Sequence, residues 1–168
     1  PILNNIVLAS SGDNIAWAKQ DDVISLTFNS NEALLTPTIS LLGSVADVTI
    51  TQPQANSWVA QKTVTGFHAE NSVAFSIIYG DPAGNSAASA VTSTTDGSAV
   101  TVDMTSPTLT KVNVYSNNQI NPAFAIRDNT VSIEIEGDEA LKTPTVIQSH
   151  LAESAVNNTD NGANLKWI

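Results

Sequence analysis

The sequence predicts an all-β protein made of two β-sandwiches in tandem, the second of them incomplete. Three observations lead to this prediction: short runs in which apolar and polar residues alternate, turn-forming clusters between those runs, and a match of the chain to itself. The length of 168 residues suits one large domain or two small ones, so the internal match has to decide the domain count.

The first clear strand signal is the run "DVISLTFN" from Asp22 to Asn29. Ile24, Leu26 and Phe28 occupy every second position, which is the period of a half-buried strand. Further strands are predicted, in chain order, at Thr36 to Leu42, Val45 to Thr51, Trp58 to Val64, Ser72 to Tyr79 and Ala99 to Val102. Turn-forming residues separate them at Gln52 to Ser57, Asp81 to Asn85 and Asp96-Gly97. This regular spacing of short strands is typical of a sandwich.

The internal match is centred on a short phrase that occurs twice, as "SNEALLTPT" from Ser30 and as "GDEALKTPT" from Gly137. At the same offset of 107 residues, apolar and turn positions beyond the phrase also correspond. The matched pairs include Asp21 with Asp128, Ile24 with Val131, Leu26 with Ile133, Phe28 with Ile135, and Trp17 with Phe124. The offset is 106 upstream, where Pro1 matches Pro107, and 109 downstream, where Trp58 matches Trp167.

A period of about 106 residues is the size of one immunoglobulin-like sandwich with Greek-key connections. We therefore predict one such domain at residues 1–105 and a second at 106–168. The second copy has no counterpart of "SVAFSIIYGDPAGN" or "TTDGSAVTVD", and so it lacks the last two strands. Three interpretations stay open: the missing part was removed from the chain, another chain supplies it, or the second unit is a smaller sandwich that closes without it.

An incomplete sandwich of this kind should expose an apolar face and an open sheet edge.

Composition excludes several kinds of partner. The chain has 16 Asp and Glu against 6 Lys and Arg, for a formal net charge of −10, which repels nucleic acid and anionic lipid. No apolar run is long enough for a membrane span, so we expect no membrane insertion. Cysteine is absent, which excludes disulfides and thiolate chemistry. No signal peptide is recognisable, so an export signal is expected outside these residues.

Three blocks carry a family resemblance: "DDVISLTFNSNEALLTPTISL", "SVAFSIIYGDPAGN" and "TTDGSAVTVDMTSPTL". They resemble bacterial Ig-like repeats, which form long arrays in large surface and biofilm adhesins of the RTX or Bap type, commonly exported by type I secretion. The resemblance covers residues 1–106 and about 60 residues of the next copy. It implies a location outside the cell, either secreted or on the bacterial surface, and a non-catalytic role as a spacer or adhesive stalk.

The resemblance also implies calcium at the junctions between domains and neighbouring repeats of the same chain as partners. Two other functions stay open. One is a subunit of an extracellular filament in which another copy of the chain supplies the missing strands. The other is a carbohydrate-binding accessory module of a secreted hydrolase, with cell-surface glycans as partners.

Calcium prefers several oxygen ligands, and two sets of residues could supply them. In an immunoglobulin-like topology Glu32 is expected near Asp81 and Asn85 at one end of the first domain. The alternative is that "DPAGN" is only a tight turn and that Glu32 is a solvated residue at a strand end.

The second predicted calcium set lies at the domain junction. The same topology brings the linker residue Asp103 close to Asp138 and Glu139 at the start of the second domain. The alternatives are a plain linker residue at 103 and a solvated strand end at 139.

The sequence favours no catalytic function. His68 and His150 are the only histidines, and they do not occupy equivalent positions in the two copies. No Ser-His-Asp spacing, zinc motif or Gly-rich phosphate loop is recognisable. The chain is therefore predicted not to be an enzyme.

The remaining notable residues have structural interpretations. Trp58 and Trp167 are predicted to be core residues because they recur, and so is Trp17, which Phe124 matches. The pairs Asp21-Asp22 and Asp128-Asn129 are predicted to form the turn into the following strand.

Overall fold

A computed structural model describes residues 1–148, 151–154 and 166–167 of the chain. The described residues form strands and turns with no helix, so the all-β prediction is confirmed. The described residues therefore contain no helix that is long and apolar enough to cross a membrane. The chain divides into two compact units, Pro1–Met104 and Thr105–Ile168, which are described separately.

Unit 1 contains eight strands, numbered in chain order. They are β1 (Leu3–Ser10), β2 (Trp17–Ala18), β3 (Val23–Ser30), β4 (Thr38–Leu41), β5 (Thr49–Gln54), β6 (Ser57–Thr63), β7 (Phe75–Ile78) and β8 (Thr101–Val102). An antiparallel sheet has the order β1-β3-β6-β5, a second pair joins β4 to β7, and a third joins β2 to β8 in parallel.

Most of these strands lie where the alternating pattern predicts them, but two differences stand out. The strands β1 and β2 were not among the predicted set. The strand predicted from Val45 begins only at Thr49, because the chain turns through left-handed backbone at Leu42, Gly43 and Asp47.

The core of unit 1 is built on β3, an inner strand of the sheet that pairs with β1 on one side and β6 on the other. Its side chains alternate strictly, and Ile24, Leu26 and Phe28 are buried. Apolar residues from β1 and β6 and from β4, β7 and β8 join them in a single cluster. Because both sets of strands contribute to one core, the arrangement is consistent with a β-sandwich.

The free edge of this sheet, along β1, is covered by an irregular segment. Thr95 donates its amide N–H to the carbonyl oxygen of Ile6, 2.9 Å away, and its hydroxyl oxygen accepts from the Ile6 amide at 2.9 Å. The hydroxyl oxygen of Ser98 accepts from the amide of Leu8, also at 2.9 Å. The outward amides of β1 are thereby satisfied, and the edge cannot pair with another strand.

Unit 2 contains five described strands. They are β9 (Leu109–Ser116), β10 (Val131–Gly137), β11 (Thr145–Gln148), β12 (Leu151–Ser154) and β13 (Lys166–Trp167). One sheet has the order β13-β10-β9, and β11 pairs with β12. The register repeats that of unit 1: Phe28 faces Trp58 across β3 and β6, and the matching Ile135 faces Trp167 across β10 and β13.

The loop between β1 and β3, which we call the central strand of unit 1, recurs between β9 and β10, the central strand of unit 2, with the same hydrogen bonds. In unit 1 the amide of Trp17 donates to the Asn14 carbonyl, and in unit 2 the amide of Phe124 donates to the Asn121 carbonyl. The Asn side-chain oxygen in each loop accepts from the amide two residues on, at 3.0 Å in both units. The same backbone path is therefore stabilised by the same amide chemistry in both copies.

The turn into the central strand recurs as predicted. Asp21 and Asp128 both have left-handed backbone, with φ of 72° and 69°. The next residue, Asp22 or Asn129, accepts from the amide three positions earlier at 2.9 Å in each unit. Since an aspartate and an asparagine make the same bond, the turn needs a side-chain oxygen and not a charge.

The predicted core role of Trp17 and Phe124 is wrong. Trp17 is 49% exposed and Phe124 is 67% exposed. In β2 the inward position belongs to Ala18, which is buried, and the alternation of a strand then points Trp17 outward. Trp58 is buried as predicted, whereas the side chain of Trp167 lies outside the described residues.

The two units differ most in how their matching strands are covered. Ile6 and Leu8 of β1 are each 3% exposed, whereas the matching Val112 and Val114 of β9 are each 58% exposed. Among the residues of unit 2 whose side chains are described, the apolar core consists of the buried Ile135 and Leu141, with Ile133 and Val146 packed against them.

This difference leads to a prediction for a matched pair of variants. Leu8→Ala should destabilise unit 1 by about 2 to 5 kcal/mol, because it leaves a cavity in a closed core. Val114→Ala, at the equivalent position, should change the free energy of unfolding of unit 2 by no more than about 0.5 kcal/mol. Urea denaturation followed by NMR signals from each unit measures both values. Equal costs would show that β9 is covered in solution.

Candidate functional site

The loop "DPAGN" at residues 81–85 is organised around the carboxylate of Asp81. One carboxylate oxygen accepts from the amides of Ala83 and Asn85, each at 2.9 Å. The other accepts from the side-chain amide of Asn85 at 2.8 Å. Gly84, with φ of 95°, supplies the left-handed residue that closes the turn. The loop is a tight turn held by its own first residue.

The electrostatics of this turn follow from those bonds. The side-chain amide of Asn85, then its backbone N–H, and then that of Ala83 lower the pKa of Asp81, because each donates to the ionised carboxylate. Although Asp81 carries a charge, it is among the buried polar residues of unit 1.

Glu32 lies on the segment next to this turn. The amide of Leu35 donates to the carbonyl of Gly80 at 2.9 Å, which joins the chain after Glu32 to the residue before Asp81. The Glu32 carboxylate itself lies 2.9 Å from the amino group of Pro1. Within the part of the chain that is described, no hydrogen bond or ion pair joins Glu32 to Asp81 or Asn85.

Asp138, predicted as a calcium ligand, binds its own domain's first residues. Its two carboxylate oxygens accept from the amide of Thr108 at 2.8 Å and from the Thr108 hydroxyl at 2.6 Å. The amide of Asp138 donates back to the Thr108 carbonyl at 3.0 Å. These hydrogen bonds from Thr108 lower the pKa of Asp138.

The equivalent position in unit 1 makes the same clamp without a charge. The side-chain oxygen of Asn31 accepts from the amide of Ile2 at 2.7 Å, and the amide of Asn31 donates to the Ile2 carbonyl at 3.1 Å. Residues Asn31 and Thr108 were missed as site residues, although the recurrence of Asn or Asp at the second position of the phrase was a usable signal. The clamp fastens the start of each unit's first strand to the end of its central strand.

The other two predicted ligands are placed as follows. Asp103 belongs to unit 1, where its amide donates to the Ala18 carbonyl at 2.8 Å. Glu139 belongs to unit 2 and is partly buried. Among the residues described, no group of three or more His, Cys, Asp and Glu side chains is placed to hold a metal ion. The first predicted set has only two carboxylates, and its third ligand would be an amide oxygen.

One shallow depression lies on unit 1, beside the loop that carries His68. Its volume is about 240 Å³, and its lining includes Leu42, His68, Asn71 and Ser72. The ring Nδ1 of His68 accepts from the amide of Thr65 at 2.8 Å, so this histidine holds its own loop. The neighbouring Phe67 is 99% exposed. His150 lies outside the described residues.

Comparisons with protein-family models, with curated proteins and with solved structures found no match to this chain. Each of the two units therefore serves as the comparison for the other.

The lowered pKa of Asp81 leads to a prediction about acid stability. Its carboxyl group titrates below the ordinary value of 3.8 in the folded chain. The ionised form therefore stabilises unit 1 at neutral pH, and this contribution is lost as the pH falls below that value. Asp81→Asn should reduce the drop in melting temperature between about pH 6 and about pH 3.

The control for that experiment is Asp47→Asn, which changes an exposed carboxyl in another turn of the same unit. Thermal melts of both variants and the parent chain at the two pH values provide the measurement. If Asp81→Asn and the parent lose the same amount of stability on acidification, the assignment of this carboxylate is wrong.

Proposed function

We propose that the chain consists of immunoglobulin-like repeats that act as a non-catalytic spacer or adhesive stalk in a surface adhesin of a bacterium, outside the cell. The observation that carries this proposal is the recurrence of strand register, loop hydrogen bonds and the Asn31 and Asp138 clamp in both units. A chain that repeats its structural bonds, and does not repeat its histidines, is typical of an array.

The strand order supports the immunoglobulin-like part of the proposal. In such domains one sheet has the strand order A-B-E-D and the other contains the pair C and F. The order β1-β3-β6-β5 and the pair β4 with β7 correspond to these when the short strand β2 is counted with the first. The pairing of β11, the counterpart of β4, with β12 in unit 2 departs from this scheme.

The mechanical role would follow from the stability of each closed sandwich and from limited bending between units. We propose calcium as the stiffening ion, with Glu32, Asp81 and Asn85 as one set of ligands and Asp103, Asp138 and Glu139 as the other. For the first set, the Leu35 to Gly80 bond supports the proposal by holding the two segments side by side. Both carboxylate oxygens of Asp81 and of Asp138 already accept hydrogen bonds, which weighs against the proposal, because calcium would have to displace those donors or share the oxygens with them.

Calcium should raise the melting temperature and narrow the distribution of shapes in small-angle scattering if the ion binds. The triple change Glu32→Gln, Asp103→Asn and Glu139→Gln should abolish both effects, whereas Asp47→Asn should preserve them. An equal melting temperature in calcium and in chelator would show that calcium does not bind and stabilise the chain.

A carbohydrate-binding role is the second candidate, and exposed aromatic rings favour it. Phe67 and Trp17 of unit 1 are 99% and 49% exposed, and flat aromatic faces of this kind can stack on sugars. Phe67 directly precedes His68, which lines the shallow depression on unit 1. The spacer proposal gives these side chains no ligand of their own.

A glycan array probed with the whole chain separates the two functions. The spacer proposal expects no glycan to bind above background. Binding that Phe67→Ala or Trp17→Ala weakens by about tenfold or more would support the carbohydrate-binding module instead. Phe124→Ala, an exposed aromatic in unit 2, serves as the matched control.

A further inference from the structure

In unit 1 the inner face of the sheet that contains β1 and β3 is covered by residues from the end of the unit. Ile6, Leu8 and Ile24 lie on the buried side of β1 and β3, where they are at most 3% exposed. They share one core with apolar residues from the last third of the unit. Those covering residues are Val73, Phe75, Ile77, Val100 and Val102.

The matching face of unit 2 is exposed at its described residues. Val112, Val114 and Val131 occupy the equivalent positions and are 58%, 58% and 49% exposed. Val112 faces Ile135 and Val114 faces Ile133 across the strand pair, so the exposed valines lie on the same side of the sheet as the small core of this unit.

The edge next to this face is open as well. Within the described part of the chain, β9 is the outer strand of the order β13-β10-β9. In unit 1 the outward amides of Ile6 and Leu8 are bound by Thr95 and Ser98, and the described residues of unit 2 include no counterpart of that segment. A further difference is that β4 pairs with β7, whereas its counterpart β11 pairs with β12.

We infer that this face and the β9 edge form a docking site for a β-segment that resembles residues 71–104 of this chain. The occupant would be a second such segment, because Asn71–Met104 itself already covers unit 1. The segment supplies alternating apolar side chains that can cover the face, and hydroxyl and backbone groups that can bind the edge. A second copy packed face to face would cover the valines but leave the outward amides of Val112 and Val114 without a strand.

The segment is also chemically suited to the site. It carries three charged residues, all aspartates. Its buried positions are apolar and alternate with less buried positions such as Ala74, Ser76 and Thr101, as in a strand that buries one face. This inference depends on the equivalence of the two units and does not depend on the adhesin proposal.

A hybrid chain tests the inference. Because Trp167 matches Trp58 and Ile168 matches Val59, residues 60–104 can be appended directly after Ile168. Amide hydrogen exchange in β9 should slow by about tenfold or more, and binding of a dye for exposed apolar surface should fall. A control hybrid carries serine at the inward positions of the appended copy: Val73→Ser, Phe75→Ser, Ile77→Ser, Val100→Ser and Val102→Ser.

A second arm leaves the chain as it is. A synthetic peptide of residues 71–104, added to the 168-residue chain, should protect the same β9 amides and leave those of β1 unchanged. Val114→Asn in the chain should weaken peptide binding by about tenfold, whereas Asn113→Ser on the opposite face should not.

Three results would overturn the inference. The first is equal exchange in the hybrid and its serine control together with no effect of the peptide. The second is equal protection by a scrambled peptide. The third is a concentration-dependent dimer of the 168-residue chain in which β9 is already protected, because a second copy would then be the occupant.

Discussion

The constraint on which this structure depends is that an apolar sheet face has to be covered. In unit 1 the alternation of β3 places Ile24, Leu26 and Phe28 on one side, and each is at most 1% exposed. Strands from the end of the unit provide the cover, so the fold closes only when residues some 50 to 80 positions later return to the sheet. In the described part of unit 2 the matching face is exposed at Val112 and Val114, and the core described there is limited to Ile135 and Leu141 with Ile133 and Val146.

The loops depend on short polar side chains, whose oxygens accept hydrogen bonds from backbone amides that have no backbone acceptor. Asn14 and Asn121 hold one turn, Asp22 and Asn129 another, and Asn31 and Asp138 clamp the first strand. In two of these three pairs an aspartate in one unit corresponds to an asparagine in the other. The shared requirement is an acceptor oxygen at a fixed position, and this explains why these positions persist while their charge does not.

The same bonds change how the acidic residues should be understood. Carboxylates in loops are natural candidates for calcium, yet Asp81 and Asp138 each use both oxygens to accept hydrogen bonds within their own unit. Their first role is to hold a turn and a strand start. A metal ion bound there would be an additional partner of these carboxylates, whose hydrogen bonds already favour the ionised form.

The sequence by itself determined the all-β class, the position of the central strand and the correspondence of positions between the two units, because these depend on local alternation, turn chemistry and internal matching. It did not reveal the first strand β1, whose alternation is interrupted by a register shift at Asn5, where the backbone is left-handed. It also did not reveal that Ala18 and not Trp17 points inward, because the two-residue strand β2 has too few positions to show a period. The tertiary structure alone decided which faces are covered and which acids are already bound. Burial of Leu8 and exposure of Val114 arise from similar apolar residues at equivalent positions, and the difference lies entirely in the distant strands that cover one and not the other.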